Sequence, residues 1–160
     1  MLNIKKSFTM IELIFVIVII GILASVAVPR LFATRDDAII TKVRSDVSTI
    51  RSAILNLHTK NLMKGNSAYP NVLDEATAGA EDEALFEGNT SNNEHLLDYP
   101  IYSKDADGHW MKRGDNNYSV KIMDKDIYFK YEPSNRGKFD CNGYNDSDDK
   151  AKELCKILTH

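Results

Sequence analysis

The sequence predicts an α+β chain in which a long N-terminal helix packs, by its C-terminal half, against a small antiparallel sheet. Three observations carry that prediction. From Leu13 to Val28 there is no charge, and only Gly21 and Ser25 interrupt the aliphatics. From Ile40 to Leu57 apolar residues recur in steps of three and four. Residues 118–132 alternate apolar and polar side chains on either side of a turn. The length of 160 residues suits one head domain with a modest core. A formal net charge of −3 provides no overall basic field, so nucleic acid is not indicated as a partner.

The uncharged run to Pro29 is about 17 residues, near the lower limit of a helix that spans a bilayer. Extending it towards Phe8 takes in Glu12. An acid deep in a membrane helix costs roughly 2.5–3.5 kcal/mol, less near the helix end. Glu12 is therefore either hydrated by the headgroup region or retained for a purpose. A second reading treats residues 1–27 as a secretory signal peptide, with Lys5 and Lys6 as its basic region and Ser25-Val26-Ala27 as a small-x-small cleavage site. Against that stands the continuing stripe of Leu31, Phe32, Ile40, Val43, Val47, Ile50, Ile54 and Leu57, one face of an amphipathic helix. Residues 9–62 then read as one helix, about 80 Å long at 1.5 Å per residue. Its first half is apolar all round and its second on one face. Gly21 and Pro29 are the two places where it should bend or loosen.

The head, residues 64–160, begins at the breaker cluster Gly65 to Pro70. Glu75 to Asn93 is acidic and polar and reads as loop with one helical turn at most. In "NYSVKIMDKDIYFKYEP", residues 118–123 and 127–132 make a hairpin with Asp124 and Lys125 at its turn. His109 to Lys112, with Trp110 pointing inward, add a third strand. His58, His95, His109 and His160 are scattered, and no nucleophile, phosphate loop or metal-spaced His/Glu pair stands out, so no catalysis is expected.

"KKSFTMIELIFVIVIIGILASVAVPRL", residues 5–31, resembles the N-terminus of type IV pilins and of the pseudopilins of type II secretion and competence systems. The resemblance implies a pilin-like fold, a leader of residues 1–7, and a prepilin peptidase cut between Ser7 and Phe8 followed by N-methylation of Phe8. Ser7 stands where the family usually has glycine. Glu12 then falls at the family's glutamate position, with Gly21 and Pro29 at its helix-loosening positions. Residues 8–29 would form the transmembrane and assembly half, and 30–63 the amphipathic half. The family's partners would be other pilin-like subunits in a homo- or hetero-oligomeric filament, the peptidase and an inner-membrane assembly platform. Lys5 and Lys6 would hold the N-terminus in the cytoplasm and leave the head in the periplasm, before export into a periplasmic or extracellular filament. A signal-anchored or secreted periplasmic binding domain is the alternative.

In an oxidising compartment Cys141 and Cys155 read as one disulfide closing about 15 residues, worth roughly 3 kcal/mol in the chain-entropy model. Two free thiols are the other reading, and the spacing matches no zinc signature. A C-terminal disulfide loop is frequent in the resembling family. Asp140, Asn142, Asp146, Asp148 and Asp149 cluster oxygen ligands of the kind Ca²⁺ takes, without the spacing of an EF-hand. A solvated acidic loop accounts for the same residues, and no other cofactor is expected. Glu87-Gly88-Asn89-Thr90-Ser91 fits the acid-x-Asn-x-Ser/Thr glycosylation acceptor at Asn89, a pattern that chance also produces.

Overall fold

The computed structural model describes residues 8–92, 94–142 and 148–160. The chain divides between Asp37 and Ala38 into two units. Helix α1, Met10–Met63, is continuous through Pro29. It ends where the breaker cluster begins: the Gly65 N–H bonds to the Leu62 carbonyl at 2.9 Å and the Asn66 N–H to the Asn61 carbonyl at 2.9 Å. That pair of bonds is a Schellman closure, and it needs a left-handed residue at Gly65, whose φ is +85°.

In the second unit the three-four stripe is buried: Val43, Val47, Ile50, Ile54 and Leu57 form one wall of the core, with Ala53 between them. The opposite wall is a four-stranded antiparallel sheet, β5 (Trp110–Gly114), β6 (Asn117–Ile122), β7 (Lys125–Glu132) and β8 (Lys138–Cys141), in sequential order. Inward-facing Trp110, Tyr118, Val120, Ile122, Ile127, Phe129, Tyr131 and Phe139 are all at most 2% exposed. Alternation along each strand puts them on one face because successive strand side chains point to opposite sides. Trp110 packs edge-on to Phe86 at 5.6 Å and to Phe129 at 5.1 Å. Both sheet edges are covered by the chain itself. Gly79 and Lys104 donate to the carbonyls of Lys112 and Trp110 on β5, and the Arg51 Nε donates to the Phe139 carbonyl on β8 at 2.9 Å.

The expected hairpin and third strand are present, with one correction. The turn residues are Met123 and Asp124, not Asp124 and Lys125, since Ile122 pairs with Lys125. Both turn residues have positive φ, 53° and 59°, the conformation whose twist matches a two-residue hairpin. A second correction concerns 75–93, which is not plain loop. It contains β1 (Ala84–Leu85), β2 (Gly88–Asn89) and a 3₁₀ turn at Thr90–Asn92, and these strands pair with β4 (Ile101–Tyr102) and β3 (Glu94–His95) respectively. Gly88 has no room for a side chain, because a Cβ there would lie 2.0 Å from the Glu94 carbonyl oxygen. Strand β8 and helix α2, Asp149–Thr159, were not anticipated. Helix α2 buries Ala151, Leu154, Cys155 and Leu158 and is capped by Asp148, whose side chain accepts the Lys150 N–H at 2.9 Å.

Beneath β5 lies an ionic group the sequence did not suggest. Asp74 is 1% exposed; it pairs with the Lys112 ammonium at 2.8 Å and accepts the Tyr118 hydroxyl at 2.8 Å and the Phe86 N–H at 3.1 Å. With every bond of this kind made, the buried charge is tolerated.

Candidate assembly segment

Helix α1 starts with Thr9 as the residue before its first turn. The Thr9 hydroxyl accepts the Glu12 N–H at 3.3 Å, and the Glu12 carboxylate reaches back to the Thr9 N–H at 3.4 Å and to its hydroxyl at 3.3 Å. Thr-x-x-Glu bonded in this way is a capping box, with the acid at the positive end of the helix dipole. Thr9 and Glu12, three residues apart at the head of an apolar run, are its signature in the sequence. The three bonds are long and exposed, so they hold the carboxylate by about 1 kcal/mol or less.

From Phe8 to Leu31 the large apolar side chains face outward on all sides: Phe8 is 78% exposed, Ile19 40% and Leu31 69%. This stretch is long and apolar enough to cross a membrane. A Cβ at Gly21 would meet nothing within 4 Å, so no contact inside this chain requires glycine there. Pro29 has no N–H for the carbonyl four residues back, Ser25, while the Ser25 hydroxyl bonds the Ile22 carbonyl at 2.7 Å. Ser7, on one side of the expected cut, lies outside the described residues, as does Asp146 of the acidic loop.

Cys141 of β8 is bonded to Cys155 of α2, with Cα atoms 5.7 Å apart. The rest of the acidic loop is already engaged. Asp140 pairs with Arg51 at 3.0 Å and Lys138 at 2.9 Å, and Asp149 with Lys152 at 3.3 Å. Asp148 pairs with Lys125, which holds its carboxyl below the usual range. Asn142 is exposed and gives its backbone N–H to the Tyr128 carbonyl. Among the described residues, no three His, Cys, Asp or Glu side chains converge to hold a metal. Asn89 sits in β2, half-buried, and the hydroxyls of Thr90 and Ser91 beside it donate to Glu75 at 2.6 and 2.9 Å, which lowers the Glu75 pKa.

The histidines stay apart in the fold as in the sequence. His58 stacks on Tyr69 at 3.7 Å, His109 Nδ1 lies 3.0 Å from the Asp107 carbonyl, His95 is exposed and His160 ends α2.

Comparison with known proteins bears on the N-terminus first. A family model described as the prokaryotic N-terminal methylation motif matches residues 2–28. Residues 2–28 thus carry the prokaryotic N-terminal methylation motif. The chain is also 42% identical over 66 residues to the type II secretion system core protein G of Klebsiella michiganensis, and 36% identical over 66 residues to that of Pseudomonas aeruginosa. Each of these matches covers 41% of the chain and 43% of the relative. It is 38% identical over 77 residues to the type IV narrow pilus major component PilA5 of Thermus thermophilus, covering 47% of the chain and 66% of that protein. The matches thus span less than half the length of the secretion proteins. No solved structure is a significant match. The α+β architecture, a long apolar N-terminal helix followed by small antiparallel sheets, agrees with a pilin-like fold.

Proposed function

We propose that this chain is a structural subunit of a type IV pilus-like filament or pseudopilus. A prepilin peptidase removes residues 1–7, Phe8 becomes the methylated N-terminus, and the subunit waits in the inner membrane with residues 38–160 in the periplasm until an assembly platform extracts it. In the filament, residues 8–29 exchange lipid for the same segment of neighbouring subunits. The carboxylate of Glu12 leaves its weak cap and pairs with the Phe8 amine of an adjacent subunit; in a low-dielectric core that pairing is worthwhile only when both charges meet. Correct register satisfies the pair, and a slipped register strands two charges.

The observation that carries this reading is the outward-facing apolar segment from Phe8 to Leu31, on a chain whose second unit has a buried core of its own. The reading assigns no enzymatic activity and no cofactor. Relatives from secretion and from pilus systems both match, so it covers either machine.

N-terminal sequencing and mass measurement of the mature protein test it. The expected start is Phe8 with one added methyl group. A start at Val28 would overturn the filament reading in favour of an exported binding domain. Glu12→Ala should insert into the membrane normally yet fail to enter sheared filaments, and full incorporation would refute the pairing.

A further inference from the structure

Where α1 ends, the loop that follows it and the turn between β7 and β8 enclose a cleft of about 490 Å³. Its polar lining is Ser67, Tyr69, Asn71, Ser134 and Arg136, and no acidic side chain lines it. Among the described residues, the hydroxyls of Ser67, Tyr69 and Ser134, the Asn71 amide and the Arg136 guanidinium make no hydrogen bond or ion pair within the chain. By contrast, Lys130, Glu132, Lys138 and Asp140 line a cleft in which the charges pair among themselves, at 3.1 and 2.9 Å. Arg51 lines two more, and its donors go to the carbonyls of Phe139 and Thr159 and to the Asp140 carboxylate.

The walls of the unengaged cleft are held in place. The Tyr131 hydroxyl donates to the Pro70 carbonyl at 2.7 Å, and the Asn116 amide to the Asn71 carbonyl at 2.9 Å. The Tyr69 ring stacks on His58 and seats on Gly137, where a Cβ would overlap it. In the turn, Arg136 has a φ of +55°, a conformation that glycine, asparagine or aspartate holds more readily. The guanidinium is thus set at the cleft against the preference of its own backbone. We propose that this cleft binds an acidic sugar. The Arg136 fork suits the sugar's carboxylate. Sugar hydroxyls both donate and accept, as do the side chains of Ser67, Tyr69, Asn71 and Ser134. Ala68 and Pro133 give the C–H face of the ring an apolar surface. A phosphate only accepts, so it would leave the acceptors of this lining unused, and it would set nearly two charges against one guanidinium. The site belongs to the head and does not depend on the filament reading.

Saturation-transfer NMR on the full chain in detergent, with D-galacturonate and D-glucuronate as probes, tests the site. At least one of them should give a saturable signal in the millimolar range, at least about tenfold tighter than galactose, glucose or acetate. Arg136→Gln should weaken binding at least about tenfold, and Ser67→Ala and Ser134→Ala about threefold each. These three side chains are exposed and unpaired, so Tm should not move. Ser134→Trp should abolish the signal by filling the cleft, and it stands in for Arg136→Gln should that variant not fold. Tighter binding of trigalacturonate than of the monosaccharide upholds the site with a polymer as its source, and equal affinity upholds it with the free sugar acid. No saturable signal from either acid, equal binding of galactose, or an unaltered affinity in Arg136→Gln overturns the proposal. Equal binding of N-acetylglycylalanine overturns it too, since a terminal carboxylate would then assign the cleft to a peptide.

Discussion

Helix α1 is one element that meets two different surroundings. From Met10 to Leu31 its large apolar side chains are outward on every side; after Ala38, Val43, Val47, Ile50, Ile54 and Leu57 are at most 4% exposed. Backbone geometry is the same in both stretches, so the difference lies in the spacing of apolar residues. A stripe at three-four intervals asks for one partner surface, and the sheet supplies it. An all-round apolar stretch asks for partners on all sides, and among the described residues none covers it. Under the proposed function lipid or other copies complete the first stretch, whereas the second is finished within the molecule.

The strongest way to break that contrast is to damage the finished part. Asp74→Ala leaves the Lys112 ammonium, 7% exposed, without its carboxylate, and takes the acceptor from Tyr118 and Phe86. Removing one member of a buried pair costs about 3–5 kcal/mol, enough to lower Tm by more than about 10 °C. Ile20→Ala, at a side chain 58% exposed, should leave the same transition unmoved. Circular dichroism melts of the full chain in detergent would show this. Equal losses for the two variants would mean that the two stretches are not energetically separate.

A smaller effect sharpens the role of Glu12, which stands where the unfinished segment begins. If its only task is capping, Thr9→Ala should impair filament incorporation as much as Glu12→Gln does. If its task is pairing with an amine, Glu12→Gln should fail although glutamine still completes a capping box, and Thr9→Ala should assemble normally with a helix start weakened by about 1 kcal/mol. Incorporation measured for the two variants side by side separates the roles.

What could be read from the sequence was what repeats locally. The α1 stripe, the β6–β7 hairpin and inward Trp110 all follow from short periods, and the Thr9–Glu12 cap was equally legible. Asp74 was not, since its partners Lys112 and Tyr118 are 38 and 44 residues away and nothing local marks them. Strands β1 and β4 are two residues each, too short for alternation to register. Met123 gave no turn signal, because side chains at positive φ are usually Asn, Asp or Gly. Helix α2 was hidden differently: Ala151, Leu154, Cys155 and Leu158 have helical spacing, but the aspartates before them drew the reading towards a loop. One of those aspartates, Asp148, is the helix cap.

That cap also links the finished part of the chain to pH. Asp148 is lowered by Lys125 and by the Lys150 N–H, Asp105 by Lys121, and Glu132 by Asn135 and Lys130. A carboxyl group depressed by folding stabilises the fold above its unfolded pKa, near 4, and that contribution is lost as pH falls through the folded value. Tyr118 and Tyr131 are raised by burial, so their contribution holds below about pH 10 and is lost as pH rises past it. Tm of the full chain in detergent should therefore be flat between about pH 5 and 9 and fall on both sides. Asp148→Asn keeps a residue that caps as well as aspartate but does not titrate, so it should shallow the acid limb without changing the alkaline one. An acid limb identical to that of the wild type would show that the Asp148–Lys125 pair contributes nothing to stability.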